Sequence, residues 1–267
     1  VFIVLIFALG LGLFLMKGYR AQLAVIMLCL IPLIMGFHVG QRRAAFAACG
    51  TTLCVILVLL ESKYRRKIMA FLMPILICFG MYLAIFWNSN SPVASFAQTI
   101  KSGFITEKNA ISDEDYYSNL WRDIEKYNLA MTIRRVPILG VGYGNKYDEP
   151  IKLTADLWPL DGYIPHNMIL DIIVKTGVIG FFIFWFVING IAFYGATLYP
   201  KIRDPYLKAV CIVALAAIFN QMVVSYFDLQ LTYTRNMVLL GTFVGVLTQL
   251  KKIDDRESPP AVQQQAA

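Results

Sequence analysis

An all-α, polytopic membrane protein with about seven spanning helices is the fold class this sequence predicts. Hydrophobic residues fill 58% of its 267 positions and charged residues only 15%, far less charge than a soluble domain of this length carries. The apolar residues fall in long blocks, not in alternation or amphipathic stripes, which excludes an ordinary globular enzyme and a β-barrel alike. Lys and Arg gather at the ends of those blocks, where membrane topology puts them, so the formal charge of +7 does not point to nucleic acid.

The predicted spans are 1–16, 22–39, 44–60, 68–87, 168–194, 209–226 and 237–250. Each is near the ~20 residues that a bilayer core requires. The first has no basic leader and no small-residue cleavage pattern, so it does not read as a signal peptide. Because the chain opens at Val1 inside an apolar run, it reads as the carboxy-terminal part of a longer protein. Gly177 and Gly180 interrupt the fifth span, which reads as a short helix leading into the true crossing. Cys29, Cys49, Cys54, Cys78 and Cys211 all lie in apolar runs without a CxxC pair, and read as small core residues.

This divides the chain into four spans over 1–87, a polar loop over 88–165, three spans over 166–250 and a cytoplasmic tail over 251–267. Residues 254–267, with Ser-Pro-Pro and three glutamines, read as disordered. If the spans alternate, four basic groups fall on one side: Lys17 and Arg20; Lys63, Arg65, Arg66 and Lys67; Lys201, Arg203 and Lys208; and Lys251, Lys252 and Arg256. The positive-inside rule makes that side cytoplasmic. The long loop, the turn 40–43 and the segment 228–236 then face outward.

That topology leaves Arg42 and Arg43 on the side where the rule disfavours them. They are either arginines that snorkel at an interface or a fixed anion site, for which a planar fork bonding two oxygens suits phosphate. The loop is too long to be a mere connector. It is rich in aromatics (Tyr116, Tyr117, Trp121, Tyr127, Tyr143, Tyr147, Trp158 and Tyr163), which serve equally as an interfacial belt or as sugar-stacking faces.

Inside the loop, 118–135 predicts a helix with Leu120, Ile124, Tyr127 and Met131 on one face. Arg122 with Glu125 and Lys126 with Asp123 are spaced as surface ion pairs. Pro137 ends the helix, and Gly140, Gly142 and Gly144 follow at alternate positions, allowing a tight path and close approach to a ligand. The loop closes on Pro165-His166-Asn167. Pro165 suits a first helical turn, which would set His166 at a helix N-terminus, lower its pKa and keep it neutral as a general base. His38, at the outer end of an apolar span, reads as structural. Asp171 and Lys175, one turn apart, read as an internal pair.

Taken together, these motifs resemble the O-antigen ligase and O-antigen polymerase family of bacterial membrane glycosyltransferases. The resemblance rests on the turn Gly40-Gln41-Arg42-Arg43-Ala44, the helix from Trp121-Arg122 into residues 137–144, and Pro165-His166-Asn167 followed by Gly177-Val178-Ile179-Gly180. It spans residues 36–185. Two arginines fill a turn where the family has one, and Lys126 replaces a tryptophan often seen one turn after the loop arginine.

The resemblance implies a multi-pass protein of the bacterial inner membrane, with its site facing the periplasm. It implies transfer or polymerisation of glycan from a polyprenyl-diphosphate-linked donor to a hydroxyl of a glycan or lipid acceptor, with no metal, no cofactor and no nucleic acid. By the same resemblance His166 is the catalytic base, and Arg42, Arg43, Arg122 and Arg235 bind the diphosphate. Asn167, Gly140, Gly142 and Gly144 shape the pocket. The alternative is a transporter or flippase for a lipid-linked or anionic substrate, whose outward arginines would serve the same charge.

Overall fold

A computed structural model describes residues 43–257 except 90, 106, 110 and 153–161, together with positions 24, 25, 28, 32, 35 and 36. Among the described residues the architecture is helical, without a strand. The helices are α1 (Arg43–Leu59), α2 (Ser62–Phe86), α3 (Ser95–Phe104), α4 (Asp113–Arg135), α5 (Met168–Leu198), α6 (Pro205–Ser225) and α7 (Thr234–Glu257).

Three of the described helices are long and apolar enough to cross a membrane: Ser62–Phe86, Met168–Lys201 and Pro205–Ser225. They coincide with three of the seven expected spans. α1 is a shorter apolar helix of 17 residues. The expected spans 1–16 and 22–39 lie outside the described residues apart from the scattered positions named above.

α6 is the hub. It packs against α1, α5 and α7, and most of its length is buried. Asp204 caps it, accepting from the Leu207 N–H at 2.9 Å, and Pro205 stands in its first turn, where a missing N–H costs nothing. Its small residues Ala209, Ala214, Ala216 and Ala217 let neighbouring backbones come close, as membrane helix packing favours. Opposite Leu215, α5 carries Gly195, where any Cβ would collide with the leucine side chain. The buried face of α1 repeats every fourth residue as Ala48, Thr52 and Ile56, and Thr52 accepts a hydrogen bond from Asn220 of α6. The opposite faces are apolar and open: Met73, Ile75, Leu76 and Ile77 on α2, and Phe182, Phe186 and Phe193 on α5. In a chain this apolar, those are surfaces for lipid.

One end of the bundle gathers three of the basic connections. Lys208 meets Glu61 at 3.3 Å, and Arg203 meets Asp255 at 3.0 Å. Asp254 is fully buried there, accepting from the backbone N–H groups of Arg203 and Asp204 at 3.0 and 2.9 Å. That staple corrects one expectation: the last helix does not stop before Asp254 but runs through Glu257. Residues 258–267 lie outside the described residues. A second correction concerns the thiols. Cys211 is buried, but Cys49, Cys54 and Cys78 are exposed on apolar helix faces and are not core residues, while Cys29 lies outside the described residues.

Candidate functional site

At the other end of the bundle, α4 organises the polar loop. Ser112 caps it, accepting from the Asp115 N–H at 3.2 Å. Asp113, Glu114 and Asp115 fill its first turn and Arg134 and Arg135 its last, each sign where the helix dipole favours it. The helix therefore begins five residues before its expected start at 118, and it ends at Arg135 as expected.

Its buried face differs from the one its periodicity suggested. Leu120 and Tyr127 are exposed, whereas Glu125, Asn128, Leu129 and Thr132 are buried. These polar groups hold the rest of the loop in place. Asn128 brackets Ile151, donating to its carbonyl at 2.8 Å and accepting from its N–H at 3.2 Å. Thr132 accepts from the Asp148 N–H at 2.8 Å, and Arg135 forks onto Asp148 at 2.6 and 2.9 Å. Leu129 packs with Tyr147 and Val174 in a small core of its own.

Glu125 reaches 41 residues along the chain to His166. One carboxylate oxygen accepts from the His166 backbone N–H at 3.0 Å, and the other lies 3.2 Å from Nδ1. Because a carboxylate only accepts, Nδ1 carries the proton and Nε2 is left as the basic nitrogen. The same bond raises the His166 pKa above its ordinary value, with the charges of Glu125 and Asp228 adding to it and burial and Arg122 opposing.

Two expectations about His166 are thereby corrected. α5 starts at Met168 with Asn167 as its cap, so His166 precedes the helix and does not sit in its first turn. Its pKa also moves up, because a carboxylate in hydrogen-bond contact outweighs the partial charge of a helix end. Asn167 accepts from the Leu170 N–H at 3.0 Å, while its Nδ2 is buried without a hydrogen-bond partner.

Arg43 comes to the same place from α1. Its Nη1 donates to the Ser102 carbonyl at 2.8 Å and to Asn119 Oδ1 at 2.6 Å. Asn119 in turn donates to the Ser102 carbonyl at 3.0 Å, so the end of α3 and the face of α4 orient the guanidinium together. Arg122 has no hydrogen bond or ion pair among the described residues, and its charge acts on both Arg43 and His166. The expected Arg122–Glu125 pair does not form, because Glu125 is taken by His166. Lys126 does pair with Asp123, at 3.1 Å.

Arg43, Arg122, Glu125, His166 and Asn167 line one cavity of about 420 Å3, completed by Phe46, Phe104, Tyr226 and Phe227. An imidazole, two guanidinium groups and a free amide thus face a common space. That set can receive a proton and hold an anion of two or more phosphoryl groups.

The remaining expected residues lie elsewhere. Arg42 and His38 are outside the described residues. Arg235, exposed at the start of α7, sits 5.2 Å over the Tyr233 ring and does not line this cavity. Nor do the three glycines. Gly140 and Gly142 adopt positive φ and lay the backbone of residues 137–142 onto a kink in α5 at Gly177, itself at φ 65°. The Val141 and Gly142 N–H groups donate to the Val174 and Lys175 carbonyls at 2.8 and 2.9 Å, and the Val178 N–H donates back to Pro137 at 2.9 Å. A Cβ on Gly140 or Gly177 would strike the opposing backbone. The expected break in α5 is therefore present, at Gly177 and not at Gly180, and the glycine stretch is its splint. Gly144 lines a second, separate cavity.

Glu125 is the residue that sequence reasoning missed. Its signal is the stripe Glu125, Asn128, Thr132, spaced three and four apart, which marks a buried polar face by the same periodicity that marks an apolar one. The expected Asp171–Lys175 pair is also revised: their charges act on each other, but Lys175 gives its ammonium to the Asn145 carbonyl.

A family model described as O-antigen ligase matches residues 1–185, ending where the motif-bearing stretch ends and beginning well before it. No curated protein and no solved structure matches the chain.

Proposed function

The chain belongs to the O-antigen ligase family, and we propose from that premise that it moves a glycan from a polyprenyl-diphosphate donor to an acceptor hydroxyl at the periplasmic face of the bacterial inner membrane. Membership makes it a membrane glycosyltransferase of the ligase or polymerase type that acts in polysaccharide biosynthesis. The finer reading is supported by one observation: Arg43, Arg122 and a Glu125-held His166 line a single cavity.

The step follows from that set. The acceptor O–H gives its proton to His166 Nε2 as its oxygen bonds to the anomeric carbon of the donor. The bond from that carbon to the diphosphate oxygen breaks, and the diphosphate leaves with the electron pair. Charge grows on the leaving oxygens, and Arg43 and Arg122 stabilise it without a divalent cation. Glu125 fixes the imidazole tautomer and steadies the imidazolium that forms, as the carboxylate does in a nucleophile–histidine–carboxylate triad. Asn167 Nδ2 supplies a further donor to the anion.

The test is transfer by the full chain in lipid vesicles, fed a polyprenyl-diphosphate glycan and the matching acceptor. His166→Ala and Arg122→Ala, shown to insert normally, should lose transfer, and full activity in either would sink the assignment. Movement of labelled donor across sealed vesicles without a new glycosidic bond would point to a flippase instead. The glycan of a deletion strain separates the two transferase types: single-repeat products for a polymerase, long undelivered chains on the carrier for a ligase.

A further inference from the structure

A second cavity, of about 610 Å3, lies against the first turns of α5 and shares no lining residue with the first. Asp171 stands in its wall, one turn beyond Asn167, whose carbonyl accepts from the Asp171 N–H at 3.0 Å. The two cavities meet along one stretch of chain, with His166 and Asn167 lining the first and Ile164, Met168 and Asp171 the second.

Asp171 is only 3% exposed, and its Oδ1 has no hydrogen-bond partner. Lys175, whose ammonium donates to the Asn145 carbonyl, makes no hydrogen bond to it. A buried carboxylate oxygen without a partner is costly, and a ligand that donates to it removes the cost.

The surroundings select the ligand. The negative charge of Asp171 repels a phosphate, and the nearby charge of Lys175 opposes a cation. A neutral hydroxyl is compatible with both. Tyr143 and Tyr163 bring exposed phenol rings to the same cavity, suited to the apolar face of a sugar ring.

We propose that this cavity is the acceptor-saccharide subsite, in which Asp171 accepts hydroxyl hydrogen bonds and presents the attacking sugar toward His166. This rests on the transferase reading above, and it is tested so that the two fail separately. The probe is the oligosaccharide released from the producing cell's own surface polysaccharide, titrated against the full chain in nanodiscs. Polyprenyl diphosphate is titrated in parallel.

Asp171→Asn should weaken saccharide binding about tenfold, the size expected when a charged acceptor becomes a neutral one. It should raise KM for the acceptor by the same factor and leave KM for the donor unchanged. Thr232→Trp, a change at an exposed loop position in the cavity wall, should block the saccharide and spare diphosphate binding, and it keeps the test open if Asp171→Asn folds poorly. Wild-type saccharide affinity in both variants, or no saccharide binding by the parent chain, would overturn the proposal. So would a rise in donor KM with acceptor KM unchanged, which would assign the cavity to the donor glycan. Failure of Arg122→Ala to reduce diphosphate binding would instead count against the transferase reading, whatever the saccharide does.

Discussion

His166 is governed by Glu125, and that coupling has a sign that can be measured. As a base the imidazole must be neutral, so transfer should rise with pH through a value above the ordinary histidine pKa of about 6.5. Glu125→Gln replaces the carboxylate that raises it with a neutral amide, which can also turn its NH2 toward Nδ1. The acidic limb of kcat/KM should then move to lower pH, while the plateau drops because the ring loses its fixed tautomer. His166→Ala should cost more, on the order of 10²–10⁴-fold in kcat. Stability runs the other way with pH. A folded-state pKa above the unfolded value stabilises the fold fully below about 6.5 and loses that contribution as pH rises through the folded value. The Tm gap between wild type and Glu125→Gln should therefore shrink on going from acid to alkaline buffer. The arginines make a second prediction. Arg43 and Arg122 carry like charge into one cavity, so Arg122→Ala should raise the Tm of the ligand-free chain and remove most of the further rise that inorganic pyrophosphate produces. Arg122→Lys should restore only part of it, because an ammonium lacks the two-pronged fork.

Side chains of α4 and α1 tie the site together, and one backbone seam joins the end of α4 to α5. The stretch 137–142 is bonded edge-on to the kink of α5, and the kink exists because Gly177 takes a left-handed φ of 65°. Gly140→Ala and Gly177→Ala each combine roughly 1–2 kcal/mol of left-handed strain with a Cβ driven into opposing backbone. Gly144→Ala meets the strain alone, because nothing lies within 4 Å of its Cβ. Thermal unfolding in detergent should therefore rank Gly140→Ala and Gly177→Ala well below Gly144→Ala. Much of this was legible beforehand: the loop helix, its end at Arg135, the break in the fifth span and the glycine-rich stretch all follow from local rules. The partner of that stretch was not legible, since a glycine records only that something approaches closely. The buried face of α4 was misread for a related reason. Leu120 and Tyr127 have the right spacing, yet polar side chains with backbone partners fill the interface instead.

At the scale of the whole molecule, the bundle keeps its charge chemistry at opposite ends. Arg203, Lys208 and Lys251 meet Glu61, Asp254 and Asp255 at one end, and the Arg43–Arg122–His166 cavity opens at the other. The positive-inside rule assigns the first end to the cytoplasm. Cysteines placed at the exposed positions Asn109 and Lys252 test it: a membrane-impermeant maleimide applied to intact spheroplasts should label the first and not the second. The reverse pattern would put the cavity on the cytosolic face and end the periplasmic reading. Asp254→Ala should loosen the staple between the α5–α6 turn and α7, lowering Tm while leaving diphosphate binding intact.

Composition and apolar block length determined, without any fold, that this chain is helical and lives in a membrane. The desolvation of backbone in lipid allows few other solutions for such blocks, and that constraint acts on each segment alone. The family resemblance, more than residue spacing, singled out Arg42, Arg43, Arg122 and His166 as candidate site residues. Only the tertiary structure decided that Glu125 serves His166 and not Arg122, that the glycines brace a kinked helix, and that Asp171 is left with an open oxygen beside a second cavity. Each of those outcomes is a competition among partners distant in sequence, and the winner depends on which backbone arrives within hydrogen-bond reach.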